Sequence, residues 1–211
     1  EYIKNSCVPE FYAGADYTSG NGWLAGGGVH LISLKPRTSS VWNEKTYKVN
    51  ERMTALSYEA HVKYTGRHFT FAAKSLLASC LDHTALIGGY GISSIDPDNG
   101  EQEYTPFRHS TSWINFTCGT KWKGHFFAGY TKNLGTADVL VSATEYGMGL
   151  DIDQVFSTNI AFSYNLPHWQ IGMEYMPTTA WYGDTDKVSG KTVNTHSVTN
   201  HRILGLVMYY F

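Results

Sequence analysis

The feature that most constrains this chain is alternation of apolar and polar residues with a period of two, held over unusually long stretches. From Leu56 to Tyr64 one side reads Leu, Tyr, Ala, Val, Tyr and the other Ser, Glu, His, Lys. Successive side chains of a strand point to opposite faces, so this pattern describes a sheet whose faces meet different surroundings. The same division runs through 69–74, 158–166 and 168–175. No window shows comparable helical spacing. The pattern predicts nine strands, at 8–18, 22–34, 53–65, 67–79, 109–120, 124–133, 153–166, 168–181 and 198–211. Most exceed ten residues, whereas soluble strands average roughly five or six and a strand tilted across a bilayer needs about nine to eleven.

The links between these strands alternate in length. Short ones are built from turn-forming residues: Ser19-Gly20-Asn21-Gly22, Thr65-Gly66, Lys121-Trp122-Lys123-Gly124 and Asn165-Leu166-Pro167. Long ones span 35–52, 80–108, 134–152 and 182–197. Outer-membrane barrels sort their connections in this way, with short periplasmic turns and long external loops. A soluble antiparallel sheet with one wet face also alternates. Strand length, loop asymmetry and a charged fraction of only 16%, against roughly 25% in soluble domains, favour lipid. Tyr58, Tyr64, Phe69, Phe71, Tyr130, Tyr164, Trp169, Tyr175, Tyr209 and Phe211 are candidates for the interfacial girdles of such a barrel.

Other classes recede on composition. A formal net charge of -2 offers no basic field, so nucleic acid is not an expected partner. The apolar run 203–211 is half of the roughly 20 residues that a spanning helix needs. Residues 1–6 lack the apolar core of a signal peptide, so the chain reads as mature or as a piece of something longer. The three cysteines, at 7, 80 and 118, have no zinc or disulfide spacing. Nine is also an odd number of strands, and an up-and-down barrel of odd count closes on a parallel pair, which bacterial barrels avoid. The expectation is therefore that residue 1 lies outside the cell and that a missing N-terminal barrel segment of seven or more strands completes the wall. An extra strand at 85–92 would restore even parity instead.

The last strand, Arg202 to Phe211, ends in Phe with Tyr two residues before it, and Tyr209 and Phe211 resemble the C-terminal assembly signal of outer-membrane barrels. Trp169-Gln170-Ile171-Gly172-Met173-Glu174-Tyr175, followed by Thr179-Ala180-Trp181-Tyr182-Gly183 and Val198-Thr199-Asn200-His201-Arg202, resembles the closing segment of DcaP-type porins, particularly their Bacteroidetes relatives. Pro9-Glu10-Phe11-Tyr12-Ala13-Gly14 and Thr131-Lys132-Asn133-Leu134-Gly135 read similarly. The resemblance implies a Gram-negative outer-membrane location and a sixteen-stranded antiparallel transmembrane β-barrel of which this chain is the C-terminal part. It also implies a homotrimer and passive diffusion of small hydrophilic, often anionic, solutes. One departure is Leu204, Leu206 and Met208, which make the inward face of the final strand apolar.

If Phe69, Trp169 and their alternates meet membrane lipid, then Glu59, His61, Lys63, Lys74, Asn159, Ser163, His168, Gln170, Glu174 and Arg202 line the lumen. Facing charges of both signs there would orient a dipolar or carboxylated solute. Taken singly, each is more at home in a neutral, hydrogen-bonded and salt-bridged barrel interior; as a set they imply a wet lumen. Loop 35–52 is basic and loop 80–108 acidic; the latter is the candidate to fold inward and narrow the pore, or else a solvated surface loop. Asp96, Asp98 and Glu101 place oxygen ligands at near-alternate positions around Gly100, a partial echo of a calcium loop without its twelve-residue spacing. The glycines at 88, 89, 91, 147 and 149 match no phosphate loop. No cofactor is implied. The rival functions are a plugged structural or adhesive barrel and a barrel hydrolase, though no nucleophile-elbow or zinc-hydrolase motif occurs and no enzyme is expected.

Overall fold

The structure, a computed structural model, describes residues 2–84 and 86–211. Its elements are α1 (Tyr2–Ser6), β1 (Phe11–Thr18), β2 (Trp23–Leu34), β3 (Ser39–Trp42), β4 (Lys45–Lys48), β5 (Met53–Thr65), β6 (Phe69–Ser79), a 3-10 turn (Asp82–Thr84), β7 (Gly88–Ile95), β8 (Gln102–Pro106), β9 (Arg108–Gly119), β10 (Trp122–Gly135), β11 (Glu145–Met148), β12 (Ile152–Asn165), β13 (Trp169–Thr185) and β14 (Thr192–Tyr209). Among the described residues, nine strands form one antiparallel sheet in the order β1-β2-β5-β6-β9-β10-β12-β13-β14. The antiparallel all-β class read from the period is what the chain adopts. The wall is open: β1 and β14 are its edges and do not pair with each other.

All nine predicted wall strands are present, with boundaries moved by pairing. The last two extend to Thr185 and from Thr192. Most of the expected loop 182–197 is thus a protruding hairpin closed by residues 186–191, not a loop. Trp122, Lys123 and Gly124 likewise belong to β10 rather than to a link, because they pair with Tyr164, Ser163 and Phe162. The strand weighed at 85–92 is not a tenth wall strand. Position 85 lies outside the described residues, and β7 joins a separate sheet of order β11-β7-β8. The alternation missed α1 and the loop strands β3, β4, β8 and β11, which are too short to write a clear period, and offered β7 only as a further wall strand.

The cross-strand registers decide which side chains share a face. Leu34 pairs with Met53, Ile32 with Ala55, and Gly28 with Glu59, so these residues lie on one side together. Ile32, Leu34, Met53 and Ala55 are buried beneath Tyr90 of β7, with Cys80 beside them and Tyr104 and Tyr146 packed alongside. Tyr90 meets Tyr104 edge-on at 5.5 Å and stacks on Tyr146 at 5.1 Å. The loop sheet therefore rests on the same face as Glu59, at the long-loop end of the wall. Loop 35–52 is tied to it as well: Ser40 Oγ donates to Asn99 O at 2.6 Å and Trp42 Nε1 to Pro97 O at 2.7 Å.

Glycine lets the two loop strands approach closely. Gly89 has a φ of +146°, and a Cβ there would lie 2.0 Å from Tyr146 O across the β7–β11 pair. Gly89→Val is expected to unseat β11 from β7, at about 1–3 kcal/mol of local strain. Limited proteolysis should then cut within 80–107 while far-UV dichroism of the wall is unchanged; resistance equal to wild type would refute this packing.

Candidate functional site

Register by register, the polar residues assemble on one face. His61 pairs with Lys74, Lys74 with Trp113, Trp113 with Gly129, and Gly129 with Ser157. This chain of partners carries the face of Glu59, His61, Lys63 and Lys74 across to Asn159 and Ser163 on β12. It continues to Gln170 and Glu174 on β13, and to Arg202 on β14 opposite Met176. Nine of the ten predicted lining residues thus share this face. His168 does not: it sits in the short turn before β13, with its Nδ1 3.1 Å from Tyr210 O. Mid-strand acidic and basic residues fall on the polar face, while Arg108 and Lys132 reach the other only near the long-loop ends.

Charge neutralises charge over β1, β2, β5 and β6. Lys74 Nζ meets Glu59, and Tyr12 donates its hydroxyl to the same carboxylate. His61 bridges the acids, with Nε2 3.2 Å from Asp16 and Nδ1 3.6 Å from Glu59. Across the sheet Arg202 approaches Glu174 at 3.9 Å. Lys63, like Lys123 opposite Ser163 on the same face, has no carboxylate within ion-pair distance among the described residues. Sequence reasoning missed Tyr12 and Asp16 because β1 carries few charges and its register against β2 is invisible in one strand alone.

Where Leu81, Thr84 and Leu86 meet this face, a cavity of about 200 Å³ is lined also by Glu10, Tyr12, His30, Glu59 and Lys74. Glu10 ties the loop down: it contacts His30 of the wall and lies 3.2 Å from His83 Nε2. Partial burial pushes the Glu10 carboxyl up, but the hydrogen bond with His30 and the nearby His83 outweigh it and leave the group below the usual carboxylate range. A second cavity of about 340 Å³, farther along the polar face, gathers Asn159, Ser163, Gln170 and Glu174 with Asn115, His125, Phe127, Leu204 and Leu206.

The opposite face is apolar and uncovered. Along its short-turn end runs an aromatic row: Trp23 to Tyr64 at 4.8 Å, Tyr64 to Phe69 at 5.3 Å, Phe69 to Phe116 at 5.7 Å, Trp122 to Tyr164 at 4.5 Å and Trp169 to Tyr209 at 4.8 Å. Phe211 meets Tyr209 edge-on, and the Lys121 ammonium in the adjoining turn lies 5.2 Å from the Tyr164 ring centroid. Ile160, Phe162, Ile171, Met173, Ile203 and Val207 extend the exposed apolar surface upward. A groove of about 470 Å³ on this side is floored by Ala60, Ala73, Ser75, Ser112 and Ala128. Its two serine hydroxyls bond each other at 2.8 Å, so it offers a ligand little beyond apolar contact.

The calcium candidates are not brought together. Glu101 accepts the amides of Asn50 and Glu51 at 2.6 and 2.9 Å, and Asp96 accepts that of Asp98 at 2.9 Å. Glu101 thereby pins the acidic loop to the basic one, while the Asp96 contact stays within the acidic loop. Among the described residues no group of three His, Cys, Asp or Glu side chains is arranged to hold a metal ion.

Comparison with protein-family models, curated proteins and solved structures returned no match. What the chain does must be argued from these two faces.

The Glu10 clasp has a pH signature. A carboxyl depressed in the folded state contributes stability above its ordinary range and loses it as pH falls through the depressed value. Amide exchange in 81–87 should accelerate on acidification through that window. Glu10→Gln should be loose already at neutral pH and lack the acid step; an unchanged acid step in the variant would exclude Glu10 as the clasp.

Proposed function

We propose that the chain forms the C-terminal part of a bacterial outer-membrane β-barrel porin that passes small hydrophilic solutes by passive diffusion. The observation that carries this reading is the sorting of the two faces: a broad apolar face bordered by an aromatic row, backed by a charged face over which the long loops fold. A compact monomer of 23.6 kDa exposes about 9,800 Å². This chain exposes 12,513 Å², with many Leu, Ile, Val, Phe, Tyr and Trp side chains among the exposed residues. Contiguous apolar surface on this scale calls for cover. Lipid suits it, because the face bears almost no charge and its aromatic row lies at the turn end, where a headgroup layer would begin. From Trp122 to Tyr130 on β10 is about 26 Å along the strand, or roughly 20 Å of height at a tilt of about 40°, close to the apolar band of a barrel.

The open edges fit the same reading. Unpaired backbone groups in hydrocarbon cost several kcal/mol each, so a wall edged by β1 and β14 requires further strands before it can stand in a bilayer. Those strands belong to the remainder of a longer barrel, and the resemblance to DcaP-type porins supplies sixteen strands as the total of the whole barrel, seven beyond the nine here, and a homotrimer as its assembly. With closure, the face of Glu59, Lys63, Lys74, Glu174 and Arg202 encloses water. The loop sheet carrying Tyr90 then narrows the external mouth, and no chemical step is involved.

Planar-bilayer recording of the full-length protein tests this. Stepwise conductance supports it; a water-soluble monomer without heat-modifiable gel migration refutes it. Because Lys74 and Arg202 face carboxylates and Lys63 does not, Lys63→Glu should shift the reversal potential toward cation selectivity more than Lys74→Glu or Arg202→Glu. Equal potentials in all three and wild type would remove these residues from the pore lining.

A further inference from the structure

Most of the polar face behaves as a water-filled wall requires, but its centre does not. Phe127 of β10 projects there, directly opposite Asn115 of β9 on one side and Asn159 of β12 on the other. An aromatic ring flanked by two primary amides thus spans three adjacent strands. Gly129 makes room for it: a Cβ at that position would lie 2.9 Å from Phe127 Cζ, so the ring reclines along the wall. Trp113, the cross-strand partner of Gly129, continues the aromatic surface with its ring centroid 6.3 Å from that of Phe127.

Neither Asn115 nor Asn159 makes a side-chain hydrogen bond with another described residue, and Asn115 is exposed. Both amides, with Phe127, Leu204 and Leu206, border the cavity of about 340 Å³. A plain aqueous pore gains nothing from a ring and two leucines held against water. The combination does match one solute chemistry. Amides donate and accept at once, as vicinal hydroxyls do, and a flat ring receives the apolar C–H face of a sugar. The charges at this height, Glu174 and Arg202, answer each other, which leaves neutral recognition.

We propose that Asn115, Phe127 and Asn159, backed by Trp113, form a binding subsite for neutral polyhydroxylated solutes of the pyranose class. This rests on the porin reading for its route of access, but not for the binding itself. It also replaces the anionic preference implied by family resemblance with a neutral one at this height of the lumen.

Two measurements on the full-length protein separate the claims. In detergent, maltotriose and cellotriose are titrated while tryptophan fluorescence is followed. Saturable change with at least one sugar is expected, and its Trp113-dependent part should vanish in Trp113→Phe. Phe127→Leu keeps apolar bulk without the π-face and should weaken binding by about tenfold, as should Asn159→Ala. In planar bilayers the same sugars should interrupt the current of the wild type and not of Phe127→Leu. A conducting channel that neither sugar blocks, or one that succinate blocks and sugars do not, overturns the subsite and leaves the porin. Absence of conductance with saturable, Phe127-dependent fluorescence overturns the porin and leaves the subsite. Equal sugar affinity in wild type and Phe127→Leu overturns the subsite in either case.

Discussion

The whole arrangement depends on unbroken parity across the backbone ladder. Side chains on a strand alternate, so slipping one strand by a single residue against its neighbour would turn its charges onto the apolar face and its aromatics inward. Here the registers from β1 to β14 hold one assignment through the middle of the wall, and the irregularities fall near the long-loop ends, around Asn133, Asp153 and Gly183. There the strands have left the apolar band and mixed faces cost little. Lys132 illustrates the tolerance: it points to the apolar side but sits close to that end, where Asp153 meets its ammonium at 2.6 and 2.7 Å.

Given parity, the rest is a matter of what each face can cover for itself. The polar face covers its own upper end, because loop 80–107 returns and buries Ile32, Leu34, Met53 and Ala55 under Tyr90. The apolar face covers nothing, since no described element lies over Ile160, Phe162 or Ile171. Leu204, Leu206 and Met208, which made the final strand look out of register as a sequence, do pair as the period requires, opposite Glu174, Gly172 and Gln170. Leu204 and Leu206 border the same cavity as Phe127.

The two long loops show how charge works at a different scale. Their opposite signs are plain in composition, yet they are joined chiefly through backbone groups: the Glu101 carboxylate accepts two amides of the basic loop and Trp42 reaches a carbonyl of the acidic one. A carboxylate held this way, as that of Glu101 is, loses its freedom to turn toward a cation.

By itself the sequence determined the strand class, the nine sheet segments and the shared polar face of nine of the ten residues it singled out, because a period of two is a local property that any strand expresses without its neighbours. It placed His168 inside a strand where the structure has a turn, for the same local reason: parity alone does not say where a strand stops and a turn begins. Only the tertiary structure decided which residues meet. The Glu59–Lys74 pair, the Glu10 clasp, the setting of Phe127 between two asparagines and the seating of the loop sheet are all products of cross-strand register, and register is set by hydrogen bonds between segments far apart in the chain.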